Sequence, residues 1–124
     1  MEIVPARAKD TDAILDLWGE LADFHAGLDA AFTPAPAWRI AYAGYLAALL
    51  ERPDARVLVA RERGRIVAFG VARITLLPPF FAERRRGFIQ DVYTVPAQER
   101  YTLRKMPMLI AREVAALWLY YLRG

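Results

Sequence analysis

The sequence predicts an α+β domain: a mainly antiparallel, mixed sheet of about four strands with helices on both faces. Three observations lead there. Short β-branched and aromatic runs bounded by glycine or proline occur near the start, in the middle and again past residue 86. Between the first two lie two stretches with apolar residues at helical spacing, and two of the strand runs are joined by four residues that include a glycine. Strands and helices in that order, without regular βα alternation, build a sheet whose neighbours run mostly antiparallel.

The first strand is Glu2 to Ala6, EIVPA. A helix follows over Lys9 to Phe24, with Ile14, Leu17, Trp18, Leu21 and Phe24 on one stripe. Asp10, Thr11 and Asp12 are its N-cap candidates. His25 to Pro36 reads as a connector rich in turn formers, and a second helix as Ala37 to Leu50, stopped by Arg52 and Pro53. His25 is either a substrate contact or proton carrier, since imidazole titrates near neutrality, or a polar residue closing a helix end.

Arg56 to Arg61 and Ile66 to Leu77 are two strands of a hairpin, turned by Glu62, Arg63, Gly64 and Arg65. After Leu77 comes a connector whose Phe80 and Phe81 either line a pocket mouth or pack in the core. The run Arg84, Arg85, Arg86 is read as a solvated loop. Phe88, Ile89, Val92, Tyr93, Thr94 and Val95, bounded by Gly87 and Pro96, form the fourth strand, with so little alternation that both faces are expected to be covered.

This strand runs into a polar, basic segment and a helix. A helix start offers free N–H groups and a positive dipole end, so with Arg100, Arg104 and Lys105 near by the junction is a natural receptor for phosphates. The final helix, from about Thr102 or Pro107 to Leu122, is apolar almost all round, and Arg112 and Glu113 argue against a membrane span. One sheet face cannot cover all of it. Self-association as a homodimer, through this helix with Leu109, Trp118, Leu119 and Leu122 and through the open edge of the Phe88 to Val95 strand, is the expected consequence.

With 124 residues the chain is a single domain, 1–124, and 56% hydrophobic with 25% charged residues makes it globular. A net charge of +3 suits an anionic ligand without requiring nucleic acid, and neither nucleic acid nor membrane is expected as a partner. No cysteine is present, which removes disulfides, thiolate metal sites and cysteine nucleophiles, and one histidine does not build a metal centre. No basic-then-apolar leader opens the chain, so a soluble, cytoplasmic protein is expected.

The order of elements, with FIQDVYTVP feeding a helix, resembles the GNAT superfamily of N-acetyltransferases over nearly the whole chain. The run Ile89, Gln90, Asp91, Val92, Tyr93 is similar to the acidic strand motif of polyamine-type members, Gln90 standing where a glutamate often does. The resemblance implies transfer of an acetyl group from acetyl-CoA to the amine of a small molecule or peptide. It implies pantetheine contacts from the backbone of Val92, Tyr93 and Thr94, phosphate contacts from Arg100, Thr102, Arg104 and Lys105, and Asp91 as general base, directly or through a water. The match is to about the N-terminal two thirds of that fold, so its C-terminal part is expected to be missing.

The family's glycine-rich phosphate loop is replaced here by Gln98, Glu99, Arg100, Tyr101, Thr102, Leu103, Arg104, and no glycine occurs between Phe88 and Arg123. Weak acetyl-CoA binding, or none, is therefore expected, because side chains at those positions crowd a phosphate and narrow the backbone's choices. The competing reading is a GNAT-fold interaction or regulatory module that does not bind acetyl-CoA productively.

Overall fold

A computed structural model describes residues 1–95. The order is β1 (Glu2–Pro5), a single 3-10 turn at Ala8–Asp10, α1 (Thr11–Leu28), a second 3-10 turn at Ala30–Phe32, α2 (Trp38–Glu51), β2 (Ala55–Glu62), β3 (Arg65–Leu76) and β4 (Arg85–Thr94). The four strands form one sheet in the order β1-β2-β3-β4, and every described pair is antiparallel. The final helix expected from the sequence lies outside the described residues.

Alternation sorts the sheet residues between two faces. Val57 and Val59 of β2 and Phe69 and Val71 of β3 form one buried cluster with Ile14, Leu15 and Leu17 of α1 and Tyr42, Leu46 and Leu49 of α2. Both described helices therefore share one face. Leu58, Ala60, Ala68 and Ala72 form the cluster on the other. Between the helices an aromatic column adds to the packing: Trp18 stacks on Tyr42 with centroids 4.8 Å apart and lies tilted against Trp38 at 4.9 Å.

The hairpin turn is tighter than the four residues read from the sequence. Glu62 pairs with Arg65, leaving a two-residue turn in which Arg63 (φ 50°) and Gly64 (φ 77°) both take positive φ. This left-handed pair matches the twist of the flanking strands, and the glycine takes it without Cβ strain.

Four readings of the sequence are corrected. First, α1 runs on through His25 to Leu28, and Phe24 is 62% exposed rather than in the core stripe, whereas Leu15 is buried. Second, Asp10 occupies the N-cap of α1 without capping it, because its carboxylate is engaged elsewhere. Third, Arg85 and Arg86 are strand residues, opposite Leu76 and Thr75; backbone pairing of Leu77 N–H with Arg84 O extends the ladder into the arginine run. Fourth, β4 has no fully buried residue, since Phe88 and Ile89 are open to solvent and no described strand adjoins its outer side. Phe80 and Phe81 are likewise exposed and pack against each other at 5.0 Å, not in the core.

Candidate active site

Two consecutive side chains of β4 point the same way. Val71 stands opposite Asp91 and Ala72 opposite Ile89, so Gln90 is an extra residue on β4. Such a bulge interrupts alternation and re-aims side chains. Both Gln90 and Asp91 thereby reach α2, where Tyr42 and Tyr45, three positions apart, share a face. The Tyr45 hydroxyl donates to Gln90 Oε1 at 2.5 Å, and the Tyr42 hydroxyl donates to Asp91 Oδ2 at 3.4 Å. Gln90 Nε2 also donates to Asp91 Oδ2, at 3.3 Å.

Asp91 is half-buried, and no described cation lies within ion-pair distance of it. Loss of water raises its carboxyl above the ordinary carboxylate value; the hydrogen bonds from Gln90 and Tyr42, and then the charge of His25, act the other way without cancelling it. Burial also raises the Tyr42 phenol, and the neighbouring Asp91 charge raises it further, so Tyr42 stays a donor at any ordinary pH. Tyr93 donates to Glu20 Oε2 at 2.9 Å, tying β4 to α1; burial first, then Glu20, raises its phenol. His25 sits exposed in the last turn of α1, its ring between Phe24 at 6.0 Å and Phe32 at 6.2 Å, while its carbonyl accepts from Asp29 N–H.

The backbone of β4 presents a second feature. Val95 N–H donates to Val67 O at 2.8 Å, so alternation turns the backbone groups of Tyr93 toward β3 and those of Val92 and Thr94 toward the outer edge. Of the three positions assigned to pantetheine contacts, Val92 and Thr94 thus offer outward N–H and C=O groups, whereas Tyr93 spends its own within the sheet. Arg100, Thr102, Arg104 and Lys105 lie outside the described residues. A cleft of about 580 Å³ opens at this end of β4, lined by Lys9, Asp10, Glu20, Arg61, Arg65 and Val95 among others, with charges of both signs.

Tyr42, Tyr45 and Glu20 were not singled out from the sequence. The three-residue spacing of the tyrosines was visible, but their meeting with β4 is a tertiary contact over more than forty residues. Arg73 was also passed over, although a charge inside the apolar run of β3 is the kind of break that marks a special position.

The described sheet thus carries a bulged fourth strand whose carboxylate faces the helices and whose outer edge is unpaired among the described residues. Among solved structures the chain is similar to an aminoglycoside antibiotic 6'-N-acetyltransferase from Acinetobacter haemolyticus, at 18% identity and TM-score 0.72, over 98% of this chain and 73% of that one. It is also similar to an acetyltransferase from Vibrio fischeri, at 16% identity and TM-score 0.72, over 98% and 88%. An aminoglycoside N-acetyltransferase in complex with CoA aligns at 12% identity and TM-score 0.69, over 97% and 70%. No family model and no curated protein matches the sequence. At these identities the likeness is one of fold: the chain has the fold of the GNAT acetyltransferases. No helix among the described residues is long and apolar enough to cross a membrane.

Proposed function

We propose that the chain transfers an acetyl group from acetyl-CoA to a primary amine of a small molecule or peptide, with Asp91 receiving the amine proton. The observation that carries this reading is a half-buried carboxylate, free of any described ion-pair partner, held at the β4 bulge beside outward-facing strand groups. The fold neighbours named above support it.

The residues present fit the co-substrate at one end. Outward backbone groups of Val92 and Thr94 have the spacing to pair with an extended chain bearing amides, as a further strand would. Acetyl-CoA supplies an acetyl group activated as a thioester. An outward N–H at Val92 would polarise the carbonyl, and Asp91 would accept a proton from the acceptor nitrogen as the C–N bond forms and the C–S bond breaks, the electron pair leaving on sulfur. A raised carboxyl pKa makes Asp91 a stronger base than a solvated aspartate, provided that it is ionised when the amine arrives. Tyr42 and Gln90 hold the carboxylate in place.

Calorimetric titration with acetyl-CoA, followed by thiol release in the presence of a panel of amines, tests the reading. Weak binding is expected, because no glycine occurs between Phe88 and Arg123. Absence of binding up to about 1 mM, the upper end of ordinary Michaelis constants, sinks it. A homodimer through the apolar C-terminal segment expected to be helical belongs to the same reading, and sedimentation at twice the 14.1 kDa chain mass is its test.

A further inference from the structure

Arg73 places a cation on the sheet face that carries the proposed site, and it makes no ion pair among the described residues. On β3 it stands opposite Ala55 on one side and Phe88 on the other, two positions from Val71, the partner of Asp91. Residues two apart on a strand face the same way, so Arg73 and Asp91 lie on one face of the sheet. The rise along a strand separates their rungs by about 7 Å. Its guanidinium carbon sits 5.5 Å from the Phe88 ring centroid, and Phe88 is 45% exposed, so this end of the face opens to solvent.

Arg73 Nε is buried and has no hydrogen-bond partner among the described residues. A buried N–H without an acceptor is costly, and buried polar groups almost always find partners. Asp54 is the carboxylate whose ionisation Arg73 assists, but only weakly. The Arg52 hydrogen bond is the main cause of Asp54's lowered value and Arg73 the least. Both Asp54 oxygens are taken by Arg52, Oδ1 from Nε and Oδ2 from Nη2, each at 2.8 Å. Arg73 is left with an aromatic face on one side and one unsatisfied donor, Nε, on a planar guanidinium of the kind that receives carboxylates.

We propose that Arg73 holds the carboxylate of the acceptor, which makes the acceptors small aminocarboxylates: the amine reaches Asp91 and the carboxylate, a few carbons away, reaches Arg73. This rests on the acetyl-transfer reading, because it takes Asp91 as the point to which the amine is delivered. An acceptor lacking the anion leaves Arg73 Nε unmet. The discrimination should therefore be large for a change of a single group.

The test uses γ-aminobutyrate and its amide, which share a chain length and an amine and differ only in the anion. Binding of each is followed by protein amide NMR shifts, and acetyl-CoA-dependent acetylation of each is then measured. The wild type should bind the acid about tenfold tighter than the amide, as a charge-assisted pair implies. Arg73→Gln should bring the ratio close to one, and Arg73→Lys should keep part of it. Equal affinity for the two probes, no binding of either, or a ratio untouched by Arg73→Gln overturns the proposal. If Arg73→Gln does not fold, the wild-type ratio alone decides. Preference for the acid without any acetylated product would retire the acetyl-transfer reading and leave an aminocarboxylate site. Equal acetylation of both probes would do the reverse.

Discussion

Asp10 and Asp91 lie at different places on the helix-covered side of the sheet, Asp10 against Arg61 of β2 and Asp91 against Tyr42 of α2, and both carboxylates are drawn out of water by packing. Asp10 is 3% exposed and fully answered: Arg7 N–H donates to Oδ2 at 2.8 Å, and Arg61 Nη2 donates to Oδ1 at 2.7 Å. Burial alone would raise its pKa, yet the Arg7 and Arg61 hydrogen bonds and the Arg61 charge outweigh it and hold the carboxyl below the usual range. Asp91 is less buried and has neutral donors only, from Tyr42 and Gln90, so desolvation wins and its carboxyl is raised. Burial by itself does not fix the charge state of a carboxylate; the hydrogen bonds and charges that answer it do. One aspartate staples β2 to the start of α1, and the other keeps a raised proton affinity, which the proposed mechanism uses.

The largest expected break of this contrast is Asp91→Asn. An amide takes the same space and keeps hydrogen bonds but accepts no proton, so acetyl transfer should fall by about 10²- to 10⁴-fold, while the melting temperature holds or rises. A rate within a few-fold of wild type would show that the proton goes elsewhere. On the other side of the comparison, Arg61→Met leaves Asp10 buried beside a single N–H donor. Destabilisation of about 2 to 3 kcal/mol is expected from urea unfolding, at the low end for a buried pair because Arg61 keeps a quarter of its side chain exposed. Adding Asp10→Asn to Arg61→Met should recover part of the loss, since no orphaned charge then remains.

The two carboxylates should also bend the stability curve in opposite directions. Asp10, lowered by folding, contributes stability that is present above the unfolded carboxylate value of about 3.9 and is lost as pH falls through its lower folded value. Asp91, raised by folding, binds its proton more tightly in the native state than in the unfolded chain. Its ionisation therefore costs stability as pH rises from that same value through its higher folded one. Asp10→Asn should weaken the protein at pH 7 by about 1 to 2 kcal/mol and flatten the acid limb, whereas Asp91→Asn should strengthen it at pH 7. Urea midpoints at pH 3 and pH 7 for both variants check the signs, and two shifts in the same direction would break the comparison.

Local rules made most of the scaffold legible. Apolar spacing located both described helices, and β-branched or aromatic runs all four strands, within a few residues, because both patterns are properties of the chain alone. Gly64 announced the hairpin because a positive φ has a residue preference. The arginine run was misread because charge argues for exposure, and an exposed strand end satisfies that argument as well as a loop does. Asp91 was read from its motif, but its state was not, since neither the bond from Tyr42 nor the absence of a described ion-pair partner can be known before α2 docks. Arg73 was hidden for the same reason: only the folded sheet shows which donors of a strand arginine remain unanswered.

The smallest change, and the one that sharpens the contrast most, is Tyr42→Phe. The ring stays stacked on Trp18, so the aromatic column survives and the stability loss should stay below about 1 kcal/mol, the scale of one neutral hydrogen bond. What goes is the 3.4 Å bond from the phenol to Asp91 Oδ2, a long bond and therefore a weak one. That bond favours the ionised carboxylate, so without it the Asp91 pKa rises further and less of the base is ready at a given pH. The acid limb of the pH–rate profile for acetyl transfer should move toward higher pH while the plateau rate stays close to wild type. Tyr45→Phe, which removes a bond to Gln90 and leaves the Tyr42–Asp91 contact in place, should leave that limb where it was. If the two variants shift the limb alike, Gln90 relays the effect of both tyrosines, and the state of Asp91 is set by the whole bulge and not by its one direct phenol.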